Sequence, residues 1–380
     1  MKLLIVSSFY KPSVGGVEVY THELFSRLSS EKNTEVTIIS LNTHGAKKKE
    51  IYRNIQIFRI DAFKLIATNP LFNPFELLRI LKYINVKDFD MVITQARYYF
   101  LTLFIACFCK LLGIKRVHIE HNAGYMKSSN SLVEFGARMY DNLFSKFVLD
   151  SAEGLIYVSE SVRRFCTEKL NAPQKKKNAI IHAGVDHVFW KRRRVKTETK
   201  KINLLYVGRI VRPKGILNLV KSMKIMPENV HLNIVGEGEE MDTINKISFE
   251  IGKENNIHIA GVMPKEGILQ IMHDSDLYIN PSEYSEGLQI SLLEAASFGL
   301  PIISTSIPGA EDLLENNVNS IIIPDNSPAT IAKTVNYLLS NRQLAVSLGN
   351  RSREKVINHF SWEQSIKKFN QFITSILVLP

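Results

Sequence analysis

Two glutamates bracket one short run: Glu286 opens Glu-Gly-Leu-Gln-Ile-Ser-Leu-Leu-Glu and Glu294 closes it. In a helix eight residues rise about 12 Å and turn roughly 80° past two full revolutions, so the two carboxylates cannot meet on one bond. They suit the two ends of an elongated ligand. The acid and base of a glycosidase sit about 5 to 9.5 Å apart, a separation this spacing reaches only if the segment begins outside a helix. On residue type alone, two solvated glutamates on an amphipathic helix fit equally. A second constellation is Gly208-Arg209-Ile210-Val211-Arg212-Pro213-Lys214-Gly215, which follows the apolar run Leu204–Val207 and leads into a helix near Ile216. Arginine offers a fork to two oxygens and lysine a mobile point charge, so Arg209 and Lys214 suit a phosphate-like oxyanion. Arg212 reads as a surface charge, and a basic turn capping a helix would look the same. A third is His118-Ile119-Glu120-His121-Asn122 at a strand end. Alternation along a strand sends the two histidines to opposite faces, which rules out a shared zinc while the strand continues. His121 is the candidate for ligand contact, against a satisfied structural histidine; His118 reads as core or solvated.

Gly15 and Gly16, in Pro12-Ser13-Val14-Gly15-Gly16-Val17-Glu18, follow the apolar run Leu3–Val6. Paired glycines open backbone conformations closed to other residues and let a ligand approach the amides at a helix start, although a tight turn asks for the same residues. The fingerprint G-x-G-x-x-G is absent there, and Gly236-x-Gly238 lacks its third glycine, which counts against an NAD-linked oxidoreductase. Gly236 and Gly238 still fit a strand-end turn lining a nucleotide site. Asp274-x-Asp276 superficially resembles a cation-gripping D-x-D. It directly precedes Leu277-Tyr278-Ile279, so it reads as the start of a structural strand and no metal is expected.

These residues need elements to hold them. Leu3–Val6, Val36–Ser40, Ile55–Ile60, Met91–Thr94, Val117–Glu120 and Leu155–Ser159 read as strands, with helical patterns between several of them. The rhythm restarts at Ile202–Val207, Val230–Val235, Ile257–Ala260, Leu277–Asn280, Pro301–Thr305 and Ser320–Ile323. Such alternation predicts mainly parallel sheets covered on both faces, in two α/β domains. The polar run 191–201 cannot form a core element, which places the boundary near residue 190. At 380 residues and 45% hydrophobic content, each domain can bury a core of its own. Cys107, Cys109 and Cys166 give neither a disulfide framework nor a metal-ligand spacing, as expected in a reducing cytoplasm. The amino-terminal apolar run is too brief for a secretory signal, and Tyr98–Cys109, broken by Lys110, falls short of the roughly 18 residues of a membrane span and reads as a core helix. Residues 1–190 carry 26 Lys and Arg against 17 Asp and Glu, a balance of +9, whereas residues 191–380 carry 22 against 20, or +2. A basic half can face an anionic lipid or a phosphorylated acceptor. No aromatic-interleaved motif, zinc finger or heptad array supports nucleic acid as a partner.

Taken in order, the glycine loop, the strand-end histidine, Val158-Ser159-Glu160, Gly184-Val185-Asp186, the G-R…K-G element, E-x7-E and the terminal Trp362-Glu363 resemble the retaining, sugar-nucleotide-dependent glycosyltransferases of family 4 (glycosyl transferases group 1). The resemblance spans nearly the whole chain. It implies the GT-B fold, two Rossmann-like parallel-sheet domains facing across a cleft: residues 1–190 on the acceptor side, with a helix over about 361–380 packing back on them, and 191–360 binding the donor. It further implies that Arg209 and Lys214 neutralise the departing diphosphate and that Gly15, Gly16, Gly208 and Gly236 line the donor site. Glu286, with the amides of Gly287, Leu288 and Gln289, would hold the transferred sugar, Glu294 the ribose, and His121 the donor sugar or its phosphate. Leu288-Gln289 replaces the Phe-Gly of many relatives, and His182-Ala183 stands where Asn usually precedes Gly-Val-Asp. The implied activity is metal-independent, cofactor-free transfer from a UDP- or GDP-linked sugar to a glycan or lipid-linked acceptor in surface polysaccharide synthesis. The enzyme would be cytoplasmic and peripheral on the inner face of the plasma membrane, docking through apolar residues within Phe63–Phe75. A GT-B epimerase and a non-catalytic nucleotide-sugar-binding module are the alternatives.

Overall fold

The computed structural model describes residues 1–13, 15–31, 33–66, 69–125, 131–186, 188, 201–283 and 287–378. The chain divides into two units, Met1–Ala183 with Trp362–Pro380, and Gly184–Ser361. In the first unit the strands are β1 (Lys2–Val6), β2 (Glu35–Asn42), β3 (Lys49–Tyr52), β4 (Ile55–Ile66), β5 (Asn69–Phe72), β6 (Met91–Gln95), β7 (Arg116–Glu120), β8 (Gly154–Tyr157) and β9 (Lys177–Ile180). They pair in the order β3-β4-β2-β1-β6-β7-β8-β9, with β5 on β4. β3 and β5 run antiparallel to β4 and the other pairs are parallel. The central strands are runs of Leu, Ile and Val buried on both faces, such as Leu3–Val6 and Met91–Ile93, as a sheet covered by helices requires.

Helix Trp362–Leu377 completes this unit. Trp362, Ser365, Phe369, Phe372, Ile373 and Ile376 recur at helical spacing and are all buried. Its seat is the small residue Gly154 in β8, where a Cβ would fall 2.3 Å from Ile376 Cδ1. Phe369 meets Phe25 edge on at 5.5 Å, and Lys177 Nζ donates to Ser375 O at 2.7 Å.

The second unit carries β10 (Ile202–Val207), β11 (Val230–Val235), β12 (Ile257–Gly261), β13 (Leu277–Asn280), β14 (Ile302–Thr305) and β15 (Ile321–Ile323). All are parallel, in the order β12-β11-β10-β13-β14-β15. Counted within the unit this is 3-2-1-4-5-6, the doubly wound order whose ligands bind beyond the carboxyl ends of the strands where the winding reverses. That reversal lies between β10 and β13. A separate core of Leu, Ile, Val and Met, including Leu204, Ile234, Ile279, Ile303 and Val335, fills the space between sheet and helices.

Three strands escape the sequence pattern. Lys-Glu-Ile-Tyr, Asn-Pro-Leu-Phe and Lys-Asn-Ala-Ile lack an apolar run because β3, β5 and β9 lie at margins of the sheet and bury little. The division between the units falls at Ala183/Gly184, upstream of the position near 190 set by composition. The reason is local pairing: Val185 N–H donates to Phe360 O at 2.9 Å and Val185 bridges Ser361, which ties the chain to the second unit before the polar run begins. Most of that run, 191–200, lies outside the described residues.

Candidate active site

The basic turn of the second unit leaves β10 at the reversal point. Gly208 N–H bonds to Val235 O at 3.0 Å and Ile210 N–H to Glu237 O at 2.8 Å, so the turns after β10 and β11 lie side by side. Their approach needs a residue without a side chain at Gly236, which has φ 137° and would place a Cβ 2.0 Å from Gly208 O. Tyr206 OH donates to Arg209 O at 2.8 Å and fixes the turn from the strand side. The Arg209 side chain is exposed and forms no ion pair among the described residues. Lys214, in the single 3-10 turn Arg212–Lys214, is buried to 8% exposure. An ammonium so far out of water is costly unless its surroundings offer oxygen partners or a bound anion.

Gly215 then turns the chain into helix Ile216–Ser222 with φ 70°. A Cβ there would sit 1.9 Å from Pro281 O, in the loop that leaves β13. The same two loops are joined where Glu283 N–H donates to Pro213 O at 2.9 Å, and Asn326 Nδ2 holds Pro281 O at 3.1 Å. The structure therefore places the basic turn against the segment that leads to the glutamate signature. Glu286 itself, with Tyr284 and Ser285, lies outside the described residues. Beyond it, Gly287 and half-buried Gln289 flank buried Leu288, and Gln289 stands at the residue before helix Ile290–Phe298 with no side-chain capping bond. Gln289 Nε2 is buried without a hydrogen-bond partner among the described residues, an amide donor of the kind a bound hydroxyl would satisfy. Glu294 is half-buried on that helix, one turn from its start.

The pair Asp274 and Asp276 has local work. Asp276 accepts Asn203 N–H at 2.9 Å, and Asp274 accepts from Gln270 and His273 of its own helix. Among the described residues no three His, Cys, Asp or Glu side chains converge as a metal site would need.

In the first unit the glycine loop differs from its sequence reading in one respect. Gly15 has φ −168° and ψ 176°, extended backbone open to any residue, and Gly16 has open space where a Cβ would be. The group nearest a Cβ on Gly15 would be the carboxylate of Glu18, the third residue of helix Gly16–Leu28 and the end of a flexible side chain that can move aside.

His121 stands just past β7, 7% exposed. Its Nε2 lies 2.8 Å from the Gln95 side-chain amide, and the edge of Tyr20 meets its ring at 5.1 Å. His118 takes the other face of the strand, between Thr94 Oγ1 and Glu120 Oε2, each at 3.1 Å. The two histidines thus bond successive residues of β6, as alternation requires. Sequence reading missed what anchors them. Glu120 is fully buried and accepts from Arg97 Nη1 at 2.9 Å and from the backbone N–H of Arg97, His121 and Asn122, each at 3.0 Å. Arg97 also engages Asp141. Despite burial, this guanidinium and its hydrogen bonds hold the Glu120 carboxyl below the ordinary carboxylate range, so it stays ionised and pins the loop that carries His121. Burial lowers the His121 imidazole to about 4, leaving it neutral near pH 7. Glu120, directly before the strand-end His121, is the signal the sequence offered; Arg97 stands 24 positions from that histidine.

Sequence comparison extends the geometry to relatives. Residues 14–189 match the model for Glycosyltransferase Family 4, and residues 188–355 the model for Glycosyl transferases group 1. The chain is 28% identical over 391 residues to an uncharacterized glycosyltransferase of Methanocaldococcus jannaschii, covering 99% of both chains. It is 25% identical over 248 residues to the capsular polysaccharide biosynthesis glycosyltransferase CapM of Staphylococcus aureus, covering 61% of this chain and 65% of that one. Among solved structures it is similar to Anabaena HepE in complex with UDP, with a TM-score of 0.76 at 16% identity over 99% of this chain and 100% of the other. The two adjoining family matches, the doubly wound order of the second sheet and the GT-B neighbours converge: the chain belongs to the family 4, group 1 glycosyltransferases.

Proposed function

We propose that this glycosyltransferase moves a hexosyl group, with retention at the anomeric carbon, from a UDP- or GDP-linked sugar to a hydroxyl of a glycan or lipid-linked acceptor in surface polysaccharide synthesis. The observation that carries the reading is the joined pair of loops at the β10/β13 reversal, where the turn that ends in Lys214 and Gly215 lies against the segment leading to the glutamate signature. Arg209 and Lys214 face the diphosphate, whose negative charge grows as the bond to the anomeric carbon breaks, so they stabilise the transition state more than the ground state. No divalent cation is needed for that neutralisation. Glu294 holds the ribose hydroxyls, and Glu286 with the amides of Gly287, Leu288 and Gln289 holds the sugar. His121 contacts the donor sugar or its phosphate, and Gly15 and Gly16 serve donor binding.

In this mechanism the anomeric C–O bond to phosphate breaks with its electron pair leaving on the phosphate. The acceptor oxygen forms its bond on the same face of an oxocarbenium-like carbon, and its proton passes to the departing phosphate oxygen. The HepE–UDP complex supports a uridine donor, and the kinship with CapM supports a polysaccharide acceptor. Proton NMR of the product formed from an α-linked nucleotide sugar checks the stereochemistry. An α-glycoside is expected; a β-glycoside, or an epimerised nucleotide sugar formed without acceptor, contradicts the reading.

A further inference from the structure

The proton inventory beside His121 decides its tautomer. Thr21 Oγ1 lies 2.6 Å from Val17 O and 2.9 Å from the Gln95 side-chain oxygen position. A hydroxyl has one proton, and the Val17 carbonyl, four residues back in the same helix, can only accept it. With that proton committed, the contact to Gln95 is a hydrogen bond only if Gln95 supplies the N–H. The other end of the same amide, at the Nε2 position, is buried and faces no partner among the described residues. Oxygen and nitrogen of an amide exchange by a half-turn, and their partners decide which is which. With the NH2 turned inward, its two protons meet two acceptors: Thr21 Oγ1, and His121 Nε2 at 2.8 Å. One buried carbonyl is then left unpartnered instead of two buried N–H groups and an oxygen–oxygen contact without a proton. That is the smaller cost.

We propose that Gln95, braced by Thr21, donates to Nε2 of His121 and thereby holds the imidazole proton on Nδ1, so that His121 serves the transferred glycosyl group as a hydrogen-bond donor and not as a base. Gln95 is a positioning residue, since it acts through His121. The role of the donor rests on the transfer reaction proposed above; the tautomer does not. Two features support it. Burial keeps the ring neutral, so one nitrogen must be bare, and no described residue hydrogen-bonds Nδ1, which leaves that N–H for a ligand.

The test is a long-range proton–nitrogen correlation spectrum of the full chain with 15N-labelled histidine, free of nucleotide, at neutral pH. A His121→Asn spectrum identifies the His121 signals. A protonated Nδ1 and a bare Nε2 are expected; the reverse assignment overturns the proposal. In Gln95→Met the population with Nε2 protonated should rise and turnover of the nucleotide sugar should fall about tenfold, as for loss of one oriented donor. An unchanged tautomer in that variant overturns the proposal, as does wild-type turnover with the tautomer lost. If Gln95→Met does not fold, the wild-type spectrum still decides. Failure of the chain to transfer any sugar would sink the proposed function while leaving the tautomer result standing.

Discussion

Gly215 shows how a single residue can carry both stability and function in this chain. It turns the chain from Lys214 into the next helix with φ 70°, and a Cβ would fall 1.9 Å from the carbonyl of Pro281. Backbone, unlike a flexible side chain, cannot yield cheaply. Gly215→Ala should therefore cost about 2 to 4 kcal/mol, combining a left-handed alanine with a forced shift of the Pro281 loop. Denaturant unfolding checks the loss, and nucleotide affinity should fall with it, because that loop leads to Gly287, Leu288 and Gln289. A neutral substitution would mean that the two loops are not tied. The place of the turn that carries Arg209 and Lys214, between a strand and a helix, was legible because the apolar run Leu204–Val207 precedes it and Gly215 closes it. The partners of His121 were not. Gln95 lies 26 positions away and meets it only because β6 and β7 pair in register.

At the scale of elements, the carboxyl end of β7 is a buried charged cluster with an acid-sensitive balance. His118 and His121 are lowered by burial, His121 to about 4, and His22, buried against Tyr10 OH at 2.8 Å, is lowered to about 4 for the same reason. The unfolded chain binds protons at these histidines from about pH 6.5 downward while the folded chain does not, so stability falls as pH drops through the window from about 6.5 to 4. Glu120, depressed in the folded state, loses its contribution only at lower pH and in the same direction. Urea unfolding should show a loss of about 4 kcal/mol between pH 7 and pH 5 from His22 and His121 together, at about 1.4 kcal/mol per histidine per pH unit below about 6.5. Stability that is level or rising on acidification would contradict this account of the cluster. The strands around it were readable because parallel strands buried on both faces are nearly continuous apolar runs. β3, β5 and β9 were not, since marginal strands take their residues from whatever pairs with them. The terminal helix was readable from Trp362 to Leu377 because its buried positions keep one stripe. The double glycine was misread at the level of backbone: Gly15 is extended, and Gly16 has open space where a Cβ would be.

For the molecule as a whole, charge and exposed apolar surface concern where the acceptor is met. No helix among the described residues is long and apolar enough to cross a membrane. In the first unit Phe63 is 66% and Phe75 72% exposed, with Leu71 nearby, as the proposed peripheral docking needs. A larger exposed row that sequence reading did not single out, Leu132, Phe135, Met139 and Leu143, lies in helix Ser131–Tyr140 and the π-helical turn after it. Cosedimentation with liposomes containing phosphatidylglycerol at low salt should retain the protein, and added salt should release part of it as the charge is screened. Indifference to anionic liposomes would remove the membrane from the account and leave a soluble glycan as acceptor.

The central claim is that a cationic turn in the second unit, with no bound ion, neutralises the departing nucleotide. Titration calorimetry of UDP and GDP into the protein in EDTA measures it directly, with Arg209→Ala and Lys214→Ala alongside. The account predicts that one of the two nucleotides binds without metal and that each variant weakens it by about tenfold or more, as for loss of a charge-assisted hydrogen bond. Binding that requires a divalent cation and is unchanged in both variants would contradict it.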